Sequence, residues 1–329
     1  MNKVTVSAPG KLMLLGEHAV VYGQPCLVTA VGQRMKATVE LTEEATFQLE
    51  APDVKIEGYS KPMSQLAQGD IPKGAKFVEI AVKNFSEKHP IEGGVKVNTV
   101  SEFSSQFGFG SSSASTVCVI KALSEITGAN LDNKSIFELA FKTVIDIQGK
   151  GSGFDVAAAT YGGTLYFVIG GKVIEPLHIG SLPLIVGYTG IKFDTVALIN
   201  EVAKKAVKYP EVIDNIYQQI GRLVEKAKQT VLNKDWATLG ELMDFNEGYL
   251  ASLGVESNKL AAMIYGAREA GAYGSKLSGA GIGDCMISLA SEDRTQAVKD
   301  GITAADGQVI DIEANVEGVR IEHGVKGMI

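Results

Sequence analysis

A glycine- and serine-rich stretch about one third of the way along the chain, residues 107–115, constrains the fold more than any other feature. It reads FGFGSSSAS and runs directly into a helical pattern. Glycines let the backbone approach a bound oxygen closely, and the first N–H groups of the helix point towards that oxygen with a dipole that favours negative charge. The stretch therefore predicts a phosphate-binding turn. A helix that is simply capped by one serine is the alternative, and the residues alone leave both open.

The pattern of the chain changes at Gly110. Before it, strands and turns dominate, and after it helices dominate, so the predicted class is α+β. The predicted strands are 4–6, 36–41, 46–49, 94–98, 164–169, 172–174, 184–188, 309–314 and 319–322, with one more after the glycine-rich turn at 276–289. The predicted helices are 75–88, 112–127, 135–148, 195–207, 211–232, 236–253, 257–270 and 291–305.

The length of 329 residues corresponds to about two domains. The composition shifts between residues 180 and 190, and we predict an N-terminal domain of residues 1–183 and a C-terminal domain of residues 184–329. Hydrophobic residues make up 45% and charged residues 21%, which excludes a disordered chain. No internal repeat is visible.

The charge balance and the cysteines limit the partners and the compartment. The formal net charge of −7 argues against a broad basic surface for nucleic acid, although a local anion site remains compatible with it. Cys26, Cys118 and Cys285 are far apart and predict reduced thiols in a cytoplasmic protein. Neither a secretory signal nor an apolar run of membrane-spanning length is visible, so we expect no membrane partner.

Two further stretches place charged residues beside glycines. Residues 8–23, APGKLMLLGEHAVVYG, bring Lys11, Glu17 and His18 close together in sequence, and an ordinary surface loop is the alternative. Asp155 follows three glycines and precedes a run of small residues. A buried carboxylate needs a partner or a function, whereas helix capping is the alternative for an aspartate in this position.

The last glycine-rich stretch, residues 276–285, reads KLSGAGIGDC. Its alternating glycines do not follow GxGxxG, and a strand comes after rather than before it, which disfavours a dinucleotide-binding fold and leaves a hairpin tip as the plain alternative. A Walker A loop, GxxxxGK followed by serine or threonine, occurs nowhere in the chain, and neither do the HRD and DFG motifs of protein kinases.

In their order along the chain, these stretches resemble the GHMP kinase superfamily, from residue 5 to about residue 320. Residues 108–114 resemble its GLGSSA phosphate loop, with Phe109 in place of leucine, and residues 278–285 resemble its TGAGGGGC motif. Residues 8–23 are most similar to the mevalonate kinases of this superfamily. The resemblance implies an N-terminal domain like domain 2 of ribosomal protein S5 and a ferredoxin-like C-terminal domain.

The resemblance also implies roles for single residues. Asp155 matches the catalytic aspartate that takes the proton from the acceptor hydroxyl, and Lys11 matches the lysine that keeps this carboxylate ionised. Ser112 matches a Mg²⁺ ligand. Residues implied on the acceptor side are Glu17, His18 and Thr195. Residues implied at the nucleotide phosphates are Gly108, Phe109, Gly110, Ser111, Ser112, Ser113, Gly279, Gly281 and Gly283.

The implied function is ATP-dependent phosphorylation of the 5-hydroxyl of mevalonate, with Mg²⁺ as cofactor. Its partners are small molecules, and the sequence leaves a homodimer open. One segment departs from this pattern, because residues 151–159 are more similar to phosphomevalonate kinases. That activity is the first alternative, for which Lys150, Lys192 and Lys276 are candidates for an extra basic pocket. A non-catalytic binding or regulatory protein is the second.

Two single positions also depart from the family. Val144 stands where mevalonate kinases carry a metal-binding glutamate, and Ser104 replaces a proline ahead of the phosphate loop. Asp146 lies two residues after Val144 and is therefore the candidate acidic ligand for Mg²⁺.

Overall fold

The computed structural model describes residues 3–193 and 195–322, which form two β-sheets flanked by helices. The strands are β1 (Lys3–Leu15), β2 (Cys26–Thr42), β3 (Thr46–Ala51), β4 (Ile56–Pro62), β5 (Gly94–Ser101), β6 (Thr164–Val168), β7 (Val173–Leu177), β8 (Leu184–Tyr188), β9 (Gly274–Ser278), β10 (Cys285–Leu289), β11 (Gln308–Ile310) and β12 (Arg320–Ile321). The helices are α1 (Lys76–Lys88), α2 (Ser111–Ile126), α3 (Asn133–Gln148), α4 (Phe154–Tyr161), α5 (Thr195–Lys208), α6 (Pro210–Leu232), α7 (Trp236–Leu253), α8 (Asn258–Glu269) and α9 (Thr295–Ala304).

The first sheet has eight strands in the order β12-β1-β2-β5-β3-β4, with β6 paired to the start of β2 and β7 paired to β6. The predicted strands at 164–169 and 172–174 correspond to the antiparallel pair β6–β7, which is joined through Gly170 and Gly171. Strand β1 is much longer than the predicted strand at 4–6. From Ala8 onwards it is buried on both faces, because α2 and α4 contact it from the first domain and β9 contacts it from the second sheet. A strand buried on both faces loses the alternating pattern that would predict it.

The second sheet is antiparallel, with the order β11-β8-β10-β9. In chain order this is the fourth, first, third and second strand, which is the split βαβ arrangement of ferredoxin-like folds. The predicted α+β class and the two-part architecture are therefore confirmed. Helix α6, with Pro210 in its first turn, and helix α7, capped by Asp235, lie between β8 and β9.

The end of the described chain returns to the first sheet. The predicted strand at 309–314 is too long, because β11 ends at Ile310 and Ala314 forms a bridge with Val31 of β2 instead. β12 then pairs with β1. Arg34 secures this return by donating hydrogen bonds to the carbonyls of Glu317 and Gly318, at 3.1 and 2.6 Å. The division at residues 183 and 184 stays a prediction.

Two hydrophobic clusters form the core. The larger one lies between the first sheet and helices α1 to α4 and continues into one side of the second sheet and parts of α6 and α7. The smaller one lies between the second sheet and helices α5 to α9. In the described part of the chain, none of the helices has the length and apolar character needed to cross a bilayer.

Candidate active site

A cavity lies between the first sheet with its helices and the second sheet with its helices, which we call the two bodies of the molecule. Its volume of about 620 Å³ is usual for a small-molecule site. Its walls come from β1, the turn before α2, the beginnings of α4 and α5, and the glycine-rich turn between β9 and β10. The sequence-predicted residues that line it are Lys11, Glu17, His18, Gly108, Gly110, Ser111, Ser112, Ser113, Asp155, Thr195 and Gly279. Segments separated by more than 250 residues in sequence therefore meet here.

The turn before α2 exposes the helix N-terminus to the cavity. Gly110 is the N-cap residue in the left-handed region, with φ of 80°, and no side chain among the described residues caps this helix. The alternative of a simple serine cap is therefore wrong. Ser113 Oγ instead donates a 2.6 Å hydrogen bond to Asp155 Oδ2. The first amides of a sixteen-residue helix are left facing a cavity, as an anion-binding site requires.

Lys11 and Asp155 flank Gly110. A methyl group built on Gly110 would lie 3.3 Å from Lys11 Cε and 3.6 Å from Asp155 Cβ. The Lys11 ammonium donates to the Gly108 carbonyl at 2.6 Å and lies 5.5 Å from the centre of the Phe154 ring. Burial lowers the pKa of Lys11, and the negative charge of Asp155 opposes this shift. The pair places a buried cation and a carboxylate on either side of the glycine-rich turn before α2.

Asp155 sits in the first turn of α4, directly after Gly153, which is the N-cap at φ of 91°. Its Oδ1 accepts from the Val156 N–H at 3.0 Å, and its Oδ2 accepts from Ser113. Asp155 is thus a fixed acceptor that faces the cavity, rather than only a helix cap.

Glu17 and His18 follow β1 and contact the second sheet. The Glu17 carboxylate is fully buried and forms an ion pair with the equally buried ammonium of Lys276. His18 has φ of 59°, and its Nε2 donates to the Ala280 carbonyl at 2.8 Å, so the neutral ring presents Nδ1 as its acceptor. Burial lowers the pKa of His18 and so favours this neutral ring. Lys276 is occupied by Glu17 and is excluded from any basic pocket in the cavity.

The glycine-rich turn contributes only part of its predicted residues. Gly279 and Ala280 line the cavity, whereas Gly281 packs against the Val255 carbonyl and Gly283 against the Ile191 carbonyl. Phe109 is likewise in the core, and only its carbonyl serves the site by accepting from the Lys11 N–H at 3.0 Å.

The sequence reasoning missed Asp284, whose carboxylate lines the cavity and is 8% exposed. It lies against Gly108 and forms an ion pair with Lys192 at 3.0 Å. The available signal was an acidic residue inside a glycine run that precedes an apolar strand.

Asp146 is not part of the site. It does not line the cavity, and its Oδ2 accepts from Lys142 at 2.5 Å and from Asn84 at 2.9 Å on the surface of α3. Successive residues of a helix point in different directions, so Val144 faces the cavity while Asp146 faces away. The predicted metal ligand is therefore corrected. Within the described ranges, no three histidine, cysteine, aspartate or glutamate side chains lie close enough together to hold a metal ion.

Comparisons with known proteins agree with this geometry. Residues 76–163 match the family model described as the GHMP kinases N terminal domain, and residues 223–307 match the GHMP kinases C terminal model. The mevalonate kinase of Thermococcus sibiricus is 36% identical, over 97% of this chain and 98% of its own. That of Pyrococcus furiosus is 36% identical, over 98% and 100%. Among solved structures, L. major mevalonate kinase in complex with R-mevalonate is 25% identical with a TM-score of 0.77, over 94% and 95%.

Proposed function

Because the chain belongs to the GHMP kinase family, we propose that it catalyses the ATP-dependent phosphorylation of the 5-hydroxyl of mevalonate. The observation that carries the proposal is the arrangement around Gly110. There Lys11, Asp155 and the N-terminus of α2 meet in one cavity. The near full-length similarity to mevalonate kinases supports mevalonate as the acceptor.

The proposed mechanism needs little covalent participation by the protein, since phosphoryl transfer depends on alignment and charge neutralisation. The amides of the turn at 110–113 bind the phosphate oxygens. Asp155 orients the acceptor hydroxyl and takes its proton as the oxygen bonds to the terminal phosphorus and the bond to ADP breaks. The Lys11 ammonium stabilises the negative charge that builds up beside Gly110. Ser113 holds the carboxylate in place through its 2.6 Å hydrogen bond.

Mg²⁺ is the metal that this chemistry implies. Near the turn before α2, the cavity presents the Ser112 side chain, the Asp155 carboxylate and the Asp284 carboxylate that is paired with Lys192, and Val144 adds no ligand. Mg²⁺ usually keeps several waters and binds one or two protein oxygens together with substrate phosphates, so this sparse oxygen set fits it. When bound, the metal would neutralise phosphate charge as a Lewis acid. Ser112 is the proposed protein ligand.

The acceptor side is formed by His18 and by the start of α5. Thr195, Val196 and Ile199 line the cavity there, and Met13 and Val20 add apolar surface. A short hydroxy acid with a methyl branch suits a wall of this kind, because a few polar groups orient it and apolar side chains cover its carbon skeleton.

Phosphomevalonate is the second candidate acceptor, and one observation favours it. Lys150 lines the cavity near α5 and donates to the neutral Asn200 side chain, so its charge is available for a phosphate.

The other two candidate lysines speak against phosphomevalonate. Lys276 is buried in its ion pair with Glu17, and Lys192 already forms an ion pair with Asp284. Of the three lysines predicted for a basic pocket, Lys150 is thus the one that lines the cavity with no carboxylate partner among the described residues, which supports the unphosphorylated acceptor.

The test is a comparison of the two acceptors under the same ATP and Mg²⁺ concentrations. We expect kcat/KM for mevalonate to exceed that for phosphomevalonate by at least about 100-fold, since a phosphomonoester adds close to two negative charges near neutral pH. Phosphorus NMR of the product should show a single phosphomonoester from mevalonate. Equal or reversed constants would assign the protein to phosphomevalonate instead.

The proposed reaction takes place in the cytoplasm with ATP as donor. The three cysteines are buried free thiols, which is compatible with a reducing compartment.

A further inference from the structure

The side of the cavity formed by the second sheet carries an ion pair that the mechanism above does not use. Both carboxylate oxygens of Asp284 accept from the Lys192 ammonium, at 3.0 and 3.1 Å. The Asp284 side chain is 8% exposed, whereas the Lys192 side chain is 41% exposed. The carboxylate is therefore enclosed, and the ammonium lies at the boundary between protein and cavity.

Asp284 is held rigidly by the backbone around it. Its N–H donates to the Ile191 carbonyl at 2.8 Å, and its carbonyl accepts from the Thr189 N–H at 3.0 Å. Its φ of 57° lies in the left-handed region, which costs an aspartate energy and is found mainly where the surrounding structure enforces it. The loop that carries Lys192 is thus fixed to the residue that binds its side chain.

The pair lies directly against the phosphate turn. A methyl group built on Gly108 would lie 2.6 Å from Asp284 Oδ2, and the neighbouring Cys285 Sγ donates to the Phe107 carbonyl at 3.2 Å. Lys11 donates to the carbonyl of the same Gly108 and experiences the charges of both Asp284 and Lys192. The Asp284 carboxylate therefore lies between the Lys192 ammonium and the turn that is proposed to bind the nucleotide phosphates.

A carboxylate in this position would repel a polyphosphate if it acted alone. The presence of the Asp284 carboxylate beside the turn is explained if this carboxylate holds a cation whose charge faces the phosphates. A lysine side chain at a cavity edge otherwise samples many rotamers, and the loss of that freedom opposes binding. Two hydrogen bonds from a rigid carboxylate remove this cost before the nucleotide arrives.

We propose that Lys192 contacts the terminal phosphoryl group of the bound nucleotide and that Asp284 is the positioning residue that holds it there. The second body would then supply the Lys192 ammonium, and the first body supplies the Lys11 ammonium. The transferred phosphoryl group would lie between these two cations. This inference rests on the proposed kinase activity and concerns the same cavity. The competing explanation is that Lys192 only neutralises Asp284.

The test combines nucleotide binding with a double-mutant cycle of Lys192→Met and Asp284→Asn. Calorimetric affinities are measured for Mg·ADP and for Mg·ADP with beryllium fluoride, which mimics the terminal phosphoryl group. We expect Lys192→Met to weaken the beryllium fluoride complex about 10- to 100-fold and Mg·ADP less than about twofold, because only the former presents the contacted group. Steady-state rates should show a similar fall in kcat.

The double variant separates the two explanations. If Lys192 contacts phosphate, Lys192→Met combined with Asp284→Asn recovers only the loss caused by the unpaired Asp284 carboxylate, and its affinity for the beryllium fluoride complex stays at least about fivefold below wild type. If Lys192 only neutralises Asp284, the double variant returns to wild-type affinity and rate, and the proposal is overturned. Lys192→Arg should retain part of the selectivity for beryllium fluoride, and unchanged affinities in Lys192→Met would also overturn the proposal.

Two controls keep the outcome interpretable. Lys204→Met removes an exposed lysine of α5 that pairs with Glu201, and it should match wild type in both affinities. Circular dichroism and thermal unfolding verify that each variant is folded. If wild-type protein fails to phosphorylate mevalonate, the proposed acceptor is wrong, whereas the nucleotide affinities still decide the role of Lys192.

Discussion

At the scale of single residues, Asp155 is the proposed base of the reaction. Its carboxylate accepts hydrogen bonds from the Ser113 hydroxyl and from the Val156 N–H, and both Asp155 and Lys11 lie against Gly110. We expect Asp155→Asn to reduce kcat by about 10²- to 10⁴-fold, because the amide is isosteric but cannot take a proton. Affinity for Mg·ADP and the thermal midpoint should stay near wild type.

Coupled measurement of ADP release and calorimetry with Mg·ADP test this expectation. The matched control is Asp70→Asn, an exposed aspartate outside the cavity, which should show wild-type kinetics. An Asp155→Asn variant with more than about a third of the wild-type rate would remove Asp155 from the proposed role of base.

Ser112 and Ser111 allow the metal to be separated from the phosphates. Both side chains line the cavity at the start of α2. If Ser112 is the metal ligand, Ser112→Ala should raise the Mg²⁺ concentration needed for half-maximal rate by several-fold, with a smaller effect on KM for mevalonate. Ser111→Ala should instead weaken ATP binding without shifting the Mg²⁺ dependence. Superimposable Mg²⁺ titrations of wild type and Ser112→Ala would contradict the ligand role.

At the scale of elements, a buried acid couples helix α7 to strand β9. Glu247 Oε2 accepts from the Leu277 N–H at 2.8 Å. Burial raises the pKa of Glu247 to about 8, and the charge of Lys276 only partly opposes this. The folded protein therefore keeps a proton that the unfolded chain, with a pKa near 4.5, releases. The free energy of unfolding should fall as pH rises from 4.5 towards 8 and level off above that.

Glu247→Gln tests this link, because glutamine is neutral at every pH and keeps an oxygen for the Leu277 N–H. We expect its free energy of unfolding, relative to wild type, to rise by on the order of 4 kcal/mol between pH 5 and pH 8.5. Urea unfolding at both pH values measures the difference. Glu241→Gln, an exposed change on the same helix, should show no such pH dependence. A constant difference for Glu247→Gln would mean that the carboxyl is ionised throughout.

At the scale of the whole molecule, the buried ion pair between Glu17 and Lys276 connects the part built on the first sheet to the part built on the second sheet. Glu17 follows β1 of the first sheet, Lys276 belongs to β9 of the second, and both side chains are fully buried. Asn246 of α7 adds a donor to Glu17 at 3.5 Å. The hydrogen bond between His18 and the Ala280 carbonyl at the cavity wall lies next to this connection.

Removing one partner leaves a buried charge without compensation, so Lys276→Met should destabilise the protein by about 3–5 kcal/mol. The double variant Glu17→Gln with Lys276→Met should recover a large part of that loss, because neither charge remains. Equilibrium urea unfolding at pH 7 provides the comparison. A loss below about 1 kcal/mol in Lys276→Met would show that water reaches the pair.

Features encoded in a few consecutive residues were predicted from the sequence. The glycine-rich turn before α2, the helix that begins beside Asp155, the strands β6 and β7 and most helices depend on local backbone geometry and on hydrophobic spacing. A glycine that must adopt positive φ, or a helix start that must stay open, is visible in the residues themselves. The identity of Lys11 as the cation beside Asp155 came from the resemblance, since 144 residues separate the two in the sequence.

Only the tertiary structure decided which charges face each other. Lys192 and Asp284 are 92 residues apart, and Glu17 and Lys276 are 259 apart, so no local pattern links them. The same reason explains the errors: Asp146 was expected in the cavity, but the rotation of α3 directs Val144 there. The length of β1 was hidden because the second sheet covers it. Local sequence determines backbone conformation, whereas burial and pairing of charge depend on segments that meet only when the chain has folded.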